Sequence, residues 1–145
     1  MVSSHLKQRL HLLGAPRLEG AGERTEIRPS RPALLLLHLA WQGDWITRDS
    51  LAHLFSPHGD GGTSRSHLRL LLNRARKFDW AGNIEVERNR LRFAVDTDLT
   101  EARPHLAQFT APPVFLQGWS AEADLGKWLD DQRNEWAAHW RHEVL

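Results

Sequence analysis

Residues 63–77 of the chain read TSRSHLRLLLNRARK, and this stretch decides the predicted fold. A helix turns by about 100° per residue, so one side of the segment collects four apolar side chains: Leu68, Leu71, Leu72 and Ala75. The opposite side collects polar and basic side chains with one leucine: Ser66, Arg69, Leu70, Asn73, Arg74 and Lys77. Its flanks carry Arg65, His67 and Arg76. We therefore expect a helix, capped by Thr63 or Ser64, that packs on a core and offers its outer face to a polyanion.

Two helices are predicted ahead of this basic helix. Ser30 is an N-cap, and residues 32–41 form a helix that is apolar nearly all round, which places it at the centre of the core. Thr47 caps a second helix over residues 48–55. The glycine-rich stretch SPHGDGG, residues 56–62, predicts a loop between the second helix and the basic one.

Short strands complete the pattern. Residues 10–14, 16–18 and 24–28 predict a small antiparallel sheet. Residues 84–93 predict a hairpin with residues 88–90 at its tip and four side chains facing inward: Ile84, Val86, Leu91 and Phe93. The order of elements predicts an α+β winged helix-turn-helix, with an N-terminal antiparallel sheet, a C-terminal hairpin wing and further C-terminal α-helices.

The character of the chain changes after residue 98. Residues 99–109 predict a helix, and residues 121–145 predict a long amphipathic helix with a stripe of tryptophans on one side. We therefore predict a winged-helix domain over residues 1–98 and a helical segment over residues 99–145. If that last helix belongs to an unfinished domain, its tryptophan side should be exposed or paired with a second copy.

Charge is distributed unevenly along the chain. Residues 1–62 carry seven Lys and Arg against six Asp and Glu, residues 63–93 carry eight against three, and residues 94–145 carry four against nine. A basic centre beside an acidic tail is expected when one segment faces a polyanion, although a solvated basic surface has the same composition.

Four side chains on the outer face of the basic helix are candidates for reading bases. Arg69 can pair with guanine and Asn73 with adenine, and Ser66 lies beside them. Leu70 points away from the core and could meet a thymine methyl group. The alternatives stay open: Leu70 packs against the wing or the helix is rotated by one residue, and Arg69 and Asn73 belong to an ordinary solvated surface.

A second set of residues is expected to hold phosphates without reading sequence. At helix N-termini, backbone amides, hydroxyls and guanidinium groups can bind phosphate oxygens. The candidates there are Thr47, Arg48, Ser64 and Arg65. Arg74 and Lys77 on the basic helix extend this set. Arg88 and Arg90 at the hairpin tip extend it further, because arginine is favoured in a narrow minor groove.

The chain also resembles a known family. Five segments look like the OmpR/PhoB-type DNA-binding domain of SARP-like bacterial transcriptional activators: LHLLG at 10–14, RPALLLL at 31–37, TRDSLA at 47–52, HLRLLLNRAR at 67–76 and VDTDL at 95–99. The segments VFLQGW at 114–119 and WLDDQRNE at 128–135 are similar to the start of the bacterial transcriptional activator domain, which is built from helical hairpins of tetratricopeptide type.

This resemblance implies a function. It implies transcriptional regulation through double-stranded DNA, bound as a homodimer or in tandem on direct repeats, and contact with RNA polymerase through residues 56–62. Two departures weaken the polymerase contact: Phe55-Ser56 replaces the usual tryptophan at the start of that loop, and the helical domain stops after two or three helices. We therefore expect either part of a larger regulator or an unusually short member.

Other classes of function are set aside. The chain has no cysteine, and its best histidine pairs, His58 with Asp60 and His139 with His142, lack a third ligand, so neither a metal nor a cofactor is expected. No nucleophile elbow or phosphate-binding loop is present, so we expect no enzyme. Short apolar runs and the absence of a secretion signal predict a cytoplasmic protein without a membrane span. The rival prediction is a protein-interaction module whose winged helix does not bind DNA.

Overall fold

The computed structural model describes residues 8–20, 22–57, 60–82 and 84–144. Over these residues the protein is of mixed α+β class, with five α-helices and two small sheets. The chain divides into two compact units: unit 1 comprises residues 1–27 and 96–145, and unit 2 comprises residues 28–95. The predicted division after residue 98 therefore runs through unit 1, where the C-terminal helices are grouped with the N-terminal strands.

The described strands and α-helices follow in chain order: β1 (Arg9–His11), β2 (Arg17–Gly20), β3 (Glu23–Glu26), α1 (Arg31–Gln42), β4 (Ile46–Thr47), α2 (Arg48–Phe55), α3 (Gly61–Ala75), β5 (Ile84–Glu87), β6 (Arg90–Phe93), β7 (Asp96–Thr97), α4 (Leu99–Ala102) and α5 (Ala123–Val144). Among the residues described, two 3₁₀ helices cover Asp79–Ala81 and Arg103–Gln108. None of these described helices combines the length and the apolar composition that a bilayer span requires.

Helix α1 supplies the centre of unit 2, as predicted. It begins where the Ser30 hydroxyl accepts a hydrogen bond from the amide of Ala33 at 3.2 Å, with a proline in its first turn. It ends at Gly43, which takes a left-handed φ of 71° and donates its N–H to the carbonyl of Leu39 at 3.0 Å. All eight residues from Ala33 to Ala40 are buried, so the apolar run is a core helix.

One of these buried residues is a histidine. The His38 ring lies 5.5 Å from the ring of Trp41 and 6.0 Å from that of Phe55. Burial lowers the pKa of His38 to about 4, because the charged imidazolium loses its hydration in this apolar environment. At neutral pH His38 is therefore an uncharged component of the core.

Helix α3 begins earlier than predicted, and its cap is a different residue. The carboxylate of Asp60 accepts a hydrogen bond from the amide of Thr63 at 2.8 Å, which lowers the pKa of Asp60. The prediction of Thr63 or Ser64 as the cap is wrong, because Asp60 is the N-cap. Its carboxylate accepts the hydrogen bond and also interacts favourably with the positive end of the helix dipole. The loop predicted over residues 56–62 therefore ends at Asp60; within it, His58 and Gly59 lie outside the described residues.

The predicted hairpin over residues 84–93 is confirmed. Strand β5 pairs with β6 across a two-residue turn at Arg88 and Asn89, and β6 also pairs with β4. Leu91 and Phe93 are buried as predicted, but Val86 is 39% exposed, so its inward prediction is wrong. Because β5 is the edge strand of the order β4-β6-β5, its apolar side chains lie at the border of the core.

Unit 1 is built on a four-stranded sheet in the order β3-β2-β1-β7. The antiparallel pairs β1–β2 and β2–β3 confirm the predicted N-terminal sheet, and β7 adds a parallel pair with β1. Residues 114–117 run beside residues 12–14: the amide of Gly14 donates to the carbonyl of Val114 at 2.7 Å. Backbone hydrogen bonds thereby join the segment after β1 to residues 114–117 within unit 1.

The helix predicted over residues 99–109 is broken into two parts. α4 stops at Ala102, and the chain continues as the 3₁₀ helix Arg103–Gln108. The reason is Pro104, which lacks the N–H that an α-helix would need and is tolerated only near a helix start. Leu106 remains buried within this segment.

The prediction that an unfinished last helix leaves its tryptophan side exposed is contradicted at Trp136, which is buried, whereas Trp128 and Trp140 are half-buried and Val144 is 43% exposed. Leu125, Leu129 and Trp136 of α5 are buried within unit 1. Arg133 fastens α5 to the preceding turn, because its guanidinium donates to three carbonyl oxygens at 2.6–2.8 Å: those of Phe115, Leu116 and Trp119. Residues before α5 cover part of this side: the Arg103 guanidinium lies 5.8 Å from the centroid of the Trp136 ring, and the Phe115 ring lies 5.5 Å from that of Trp128.

Candidate nucleic-acid interface

The inner face of α3 has the predicted orientation. Leu68 is 2% exposed, Leu72 is 3% exposed and Ala75 is fully buried, where α3 packs on α1 and α2. Leu71 is half-buried at the edge of this contact. This packing fixes the rotation of α3 about its axis, and therefore determines which side chains lie on its outer face.

The outer face of α3 carries four of the predicted residues side by side. Ser66, Arg69, Asn73 and Arg74 are all exposed. Within the described ranges, no hydrogen bond or ion pair engages the side chains of Arg69, Asn73 or Arg74. Their donors and acceptors are therefore available to an external partner.

Leu70 lies in the middle of this face and is 50% exposed. The helix has the predicted phase, so a rotation by one residue does not account for Leu70. It borders a groove of about 200 Å³ with Pro32, Phe55 and Leu71, and Arg31 and Arg74 also line it. Half of the leucine side chain remains open to solvent on a strip that is otherwise polar.

The ends of the basic segment differ from the predicted helix. Arg65 is exposed and lies 3.9 Å from Asp49 of α2, a weak pair because both side chains are well solvated. Lys77 is exposed but lies two residues beyond the end of α3, in the following turn. Arg76, which the sequence placed on a flank, is exposed beside it and adds a cation at the same end.

Ser64 is not available for a phosphate contact. It is 6% exposed, and its hydroxyl donates to the carbonyl of Ser56 at 2.7 Å. Because α3 begins at Gly61 rather than at residue 63, Ser64 turns toward α2 and serves the packing of the two helices. The prediction of Ser64 as a phosphate ligand is wrong.

The start of α2 lies beside the hairpin tip. The Thr47 hydroxyl caps α2 by accepting from the amide of Ser50 at 3.2 Å, as predicted, and remains exposed. The amide of Arg48 donates to the carbonyl of Asn89 at 2.7 Å, so the half-buried Arg48 lies next to the turn that carries Arg88. Two predicted phosphate ligands, Arg48 and Arg88, are thereby brought together.

Arg90 does not lie at the tip. The turn has two residues, so Arg90 is the first residue of β6, opposite Glu87, and it makes a 2.6 Å ion pair with that carboxylate. Arg92 is paired in the same way with Glu85 at 2.6 Å. Both guanidinium groups also stack near the ring of Trp45, at 4.3 and 4.5 Å from its centroid.

This arrangement corrects the role predicted for Arg90. Its charge is shared with Glu87, so it contributes little positive potential, whereas Arg88 is exposed and, among the described residues, makes no ion pair. The signal was present in the sequence: a two-residue turn places each glutamate of EVE, residues 85–87, opposite an arginine of RLR, residues 90–92. The prediction of a three-residue tip at 88–90 is therefore wrong by one residue.

Charge follows the two compact units. Unit 2 carries eleven Lys and Arg against six Asp and Glu, and unit 1 carries eight against twelve. The residues described contain no group of three or more histidine, aspartate or glutamate side chains placed to hold a metal ion. The surface of unit 2 is thus suited to an anionic partner through direct hydrogen bonds and charge.

No family model, curated protein or solved structure matches the chain. The chemistry of this surface is therefore argued from its own side chains. Between Arg69 and Arg74, roughly one and a half turns, α3 exposes two guanidinium groups, an amide and a half-exposed leucine. Base edges and phosphates are bound by side chains of these kinds.

Proposed function

We propose that unit 2 is a winged helix-turn-helix that binds double-stranded DNA in a sequence-dependent manner and regulates transcription in the cytoplasm, without performing chemistry. α3 enters the major groove, and the β5–β6 hairpin is the wing. One observation carries the proposal: α3 buries Leu68, Leu72 and Ala75 and leaves Arg69 and Asn73 exposed, with no side-chain partner among the residues that the structure describes. An outer face with free hydrogen-bonding groups on a firmly packed helix supports direct readout.

The proposal divides the contacts into two kinds. Arg69 and Asn73 read base edges, with Ser66 beside them, and Leu70 packs against a thymine methyl group. Arg74, Lys77, Arg48 and Arg88 neutralise phosphates and set affinity rather than sequence preference; Thr47 and Arg65 support them at the helix starts.

The family resemblance adds partners to this proposal. The resemblance to SARP-like activators implies binding as a homodimer or in tandem along direct repeats, and contact between RNA polymerase and residues 56–62. These partners are secondary to DNA binding, because the segment departs from the family pattern at Phe55-Ser56.

A gel-shift assay with the full chain tests the proposal. At low salt the parent protein shifts a duplex, and selection from random duplexes yields a preferred site. The double variant Arg69→Ala with Asn73→Ala loses that preference and at least about tenfold in affinity. Arg24→Ala is the matched control, because Arg24 is an exposed arginine on β3 of unit 1.

Two results would overturn the proposal. One is a parent protein that shifts no duplex at low salt; the other is a double variant that binds as tightly and as selectively as its parent. Either result favours the rival function, a protein-interaction module. Circular dichroism of each variant establishes that the helices are retained before affinities are compared.

A further inference from the structure

A groove of about 430 Å³ lies within unit 1. One wall comes from β1 and the residues after it, where Arg9, His11 and Leu13 occupy every second position and so share a face. The other wall comes from α4 and the 3₁₀ helix that follows it, between Asp98 and Phe109. This volume lies in the range of sites for small organic ligands, about 300–1,000 Å³.

Arg9 is the cation that this groove can offer to a ligand. Its guanidinium makes a 2.9 Å ion pair with Glu101 and a long 3.4 Å hydrogen bond to the carbonyl of Thr97. Among the described residues, its buried Nε has no hydrogen-bond partner. The terminal nitrogens of this partly exposed guanidinium, not the buried Nε, are suited to bidentate recognition of a carboxylate.

The other charged groups in the groove are already engaged. Arg17 donates from Nε to Glu19 at 2.7 Å, and its terminal nitrogen lies 3.2 Å from Nδ1 of His11. Asp98 accepts hydrogen bonds from the amides of Leu12 and Leu13 at 2.8 and 3.2 Å. These groups hold the wall in place and leave Arg9 as the anchor.

Glu101 holds the place that a ligand carboxylate would take on Arg9. Its side chain is 68% exposed, so its pair with Arg9 is weakly stabilising and can be exchanged. Next to this exchangeable pair, the groove is lined by the apolar side chains of Leu13, Ala102 and Phe109, and Phe109 is 37% exposed. An anion that also carries an apolar body would satisfy both halves of the groove.

We propose that this groove binds a small monocarboxylate with an apolar body, its carboxylate on Arg9 in place of Glu101 and its body against Leu13 and Phe109. The commitment to a carboxylate follows from the planar, two-donor geometry of a guanidinium edge. Because every residue involved belongs to unit 1, the proposal stands apart from nucleic-acid binding by unit 2.

Titration of the ¹⁵N-labelled full chain with benzoate, followed by NMR, tests this site. Benzoate produces saturable shifts at residues 101–109 and at Arg9. Benzamide, which has the same shape without the charge, binds at least about tenfold more weakly, as expected for the loss of a charge-assisted hydrogen bond. Inorganic phosphate also binds more weakly than benzoate, because it has no apolar body.

Three variants sharpen the test. Arg9→Gln weakens benzoate binding about tenfold, whereas Glu101→Gln strengthens it, because the competing internal carboxylate is gone. Arg24→Gln, an exposed arginine outside the groove, leaves it unchanged. The Glu101 variant keeps the test decisive if the Arg9 variant fails to fold.

Several results would overturn the proposal: no saturable shifts with benzoate, equal affinity for benzoate and benzamide, phosphate binding as tightly as benzoate, or weaker binding by Glu101→Gln. The same applies if Arg9→Gln folds and binds like the parent. None of these results bears on the gel-shift experiment, so failure of this site and failure of DNA binding are distinguishable.

Discussion

The outer face of α3 and the outer face of the hairpin have similar numbers of cations but differ in what those cations do. Arg69 and Arg74 on α3 have no carboxylate partner within the described residues, whereas Arg90 and Arg92 on β6 are each paired at 2.6 Å across the hairpin. A count of arginines would rank the two surfaces as equals. The pairing shows that α3 and the tip residue Arg88 carry the available charge.

Both surfaces depend on the same core, so the first prediction concerns that core and has the largest expected effect. His38 is neutral when folded, with its pKa lowered to about 4, but has its ordinary pKa near 6.5 when unfolded. As pH falls from 6.5 toward 4, the unfolded state takes up the proton first, so the free energy of unfolding decreases by roughly 3 kcal/mol.

Urea unfolding between pH 7 and pH 4 measures this effect. His38→Leu removes that part of the pH dependence, whereas His53→Gln, a change at an exposed histidine of α2, leaves it in place. If His38→Leu has the same pH dependence as the parent, His38 is not the buried titrating group.

The second prediction concerns the outer face of α3. Arg69→Ala weakens binding to the selected duplex by about 1–3 kcal/mol, because a bidentate contact to a base is lost. Binding to random duplex changes much less. Equal losses on both duplexes would make Arg69 a phosphate ligand and transfer the reading of bases to other residues.

The third prediction concerns the tip. Arg88→Ala weakens binding to all duplexes alike and reduces the slope of log affinity against log salt by about 0.9, the contribution of one phosphate contact. Fluorescence anisotropy at a series of salt concentrations gives the slope. An unchanged slope would remove the tip from the interface.

The smallest expected effect comes from the hairpin, where Arg90 is paired with Glu87. Glu87→Gln frees Arg90 and strengthens binding to any duplex by up to about fivefold, since an exposed ion pair is worth about 0–1 kcal/mol. Glu23→Gln, on β3 of unit 1, is the matched removal of one exposed carboxylate. If the two variants gain equally, net charge accounts for the effect and the pairing does not matter.

Much of unit 2 could be predicted because its signals are local. The apolar run of α1, the cap at Thr47 and the spacing of Leu68, Leu72 and Ala75 each specify a structure within a few residues. The hairpin register is also a local signal. The predicted turn of three residues places Arg90 at the tip, whereas the observed turn of two residues places it opposite Glu87.

Of the remaining errors, one came from a contact between distant segments and one from the position of a helix cap. Trp136 is buried and has the guanidinium of Arg103 over its ring, 5.8 Å from the centroid, and no periodicity within α5 reveals that contact. Ser64 became a packing residue because Asp60, not Ser64, ends the loop before α3. For both Trp136 and Ser64 the sequence shows the type of residue, but its role depends on the residues that it contacts in the fold.

The central claim is that the outer face of α3 contacts DNA. Mapping the interface on the intact chain tests it most directly. NMR titration with a duplex at low salt should perturb residues 65–77 and the tip at residues 88–89 most strongly, with smaller changes on β5 and the rest of β6. Perturbations centred on unit 1, or spread evenly over the hairpin while α3 stays unaffected, would contradict the account.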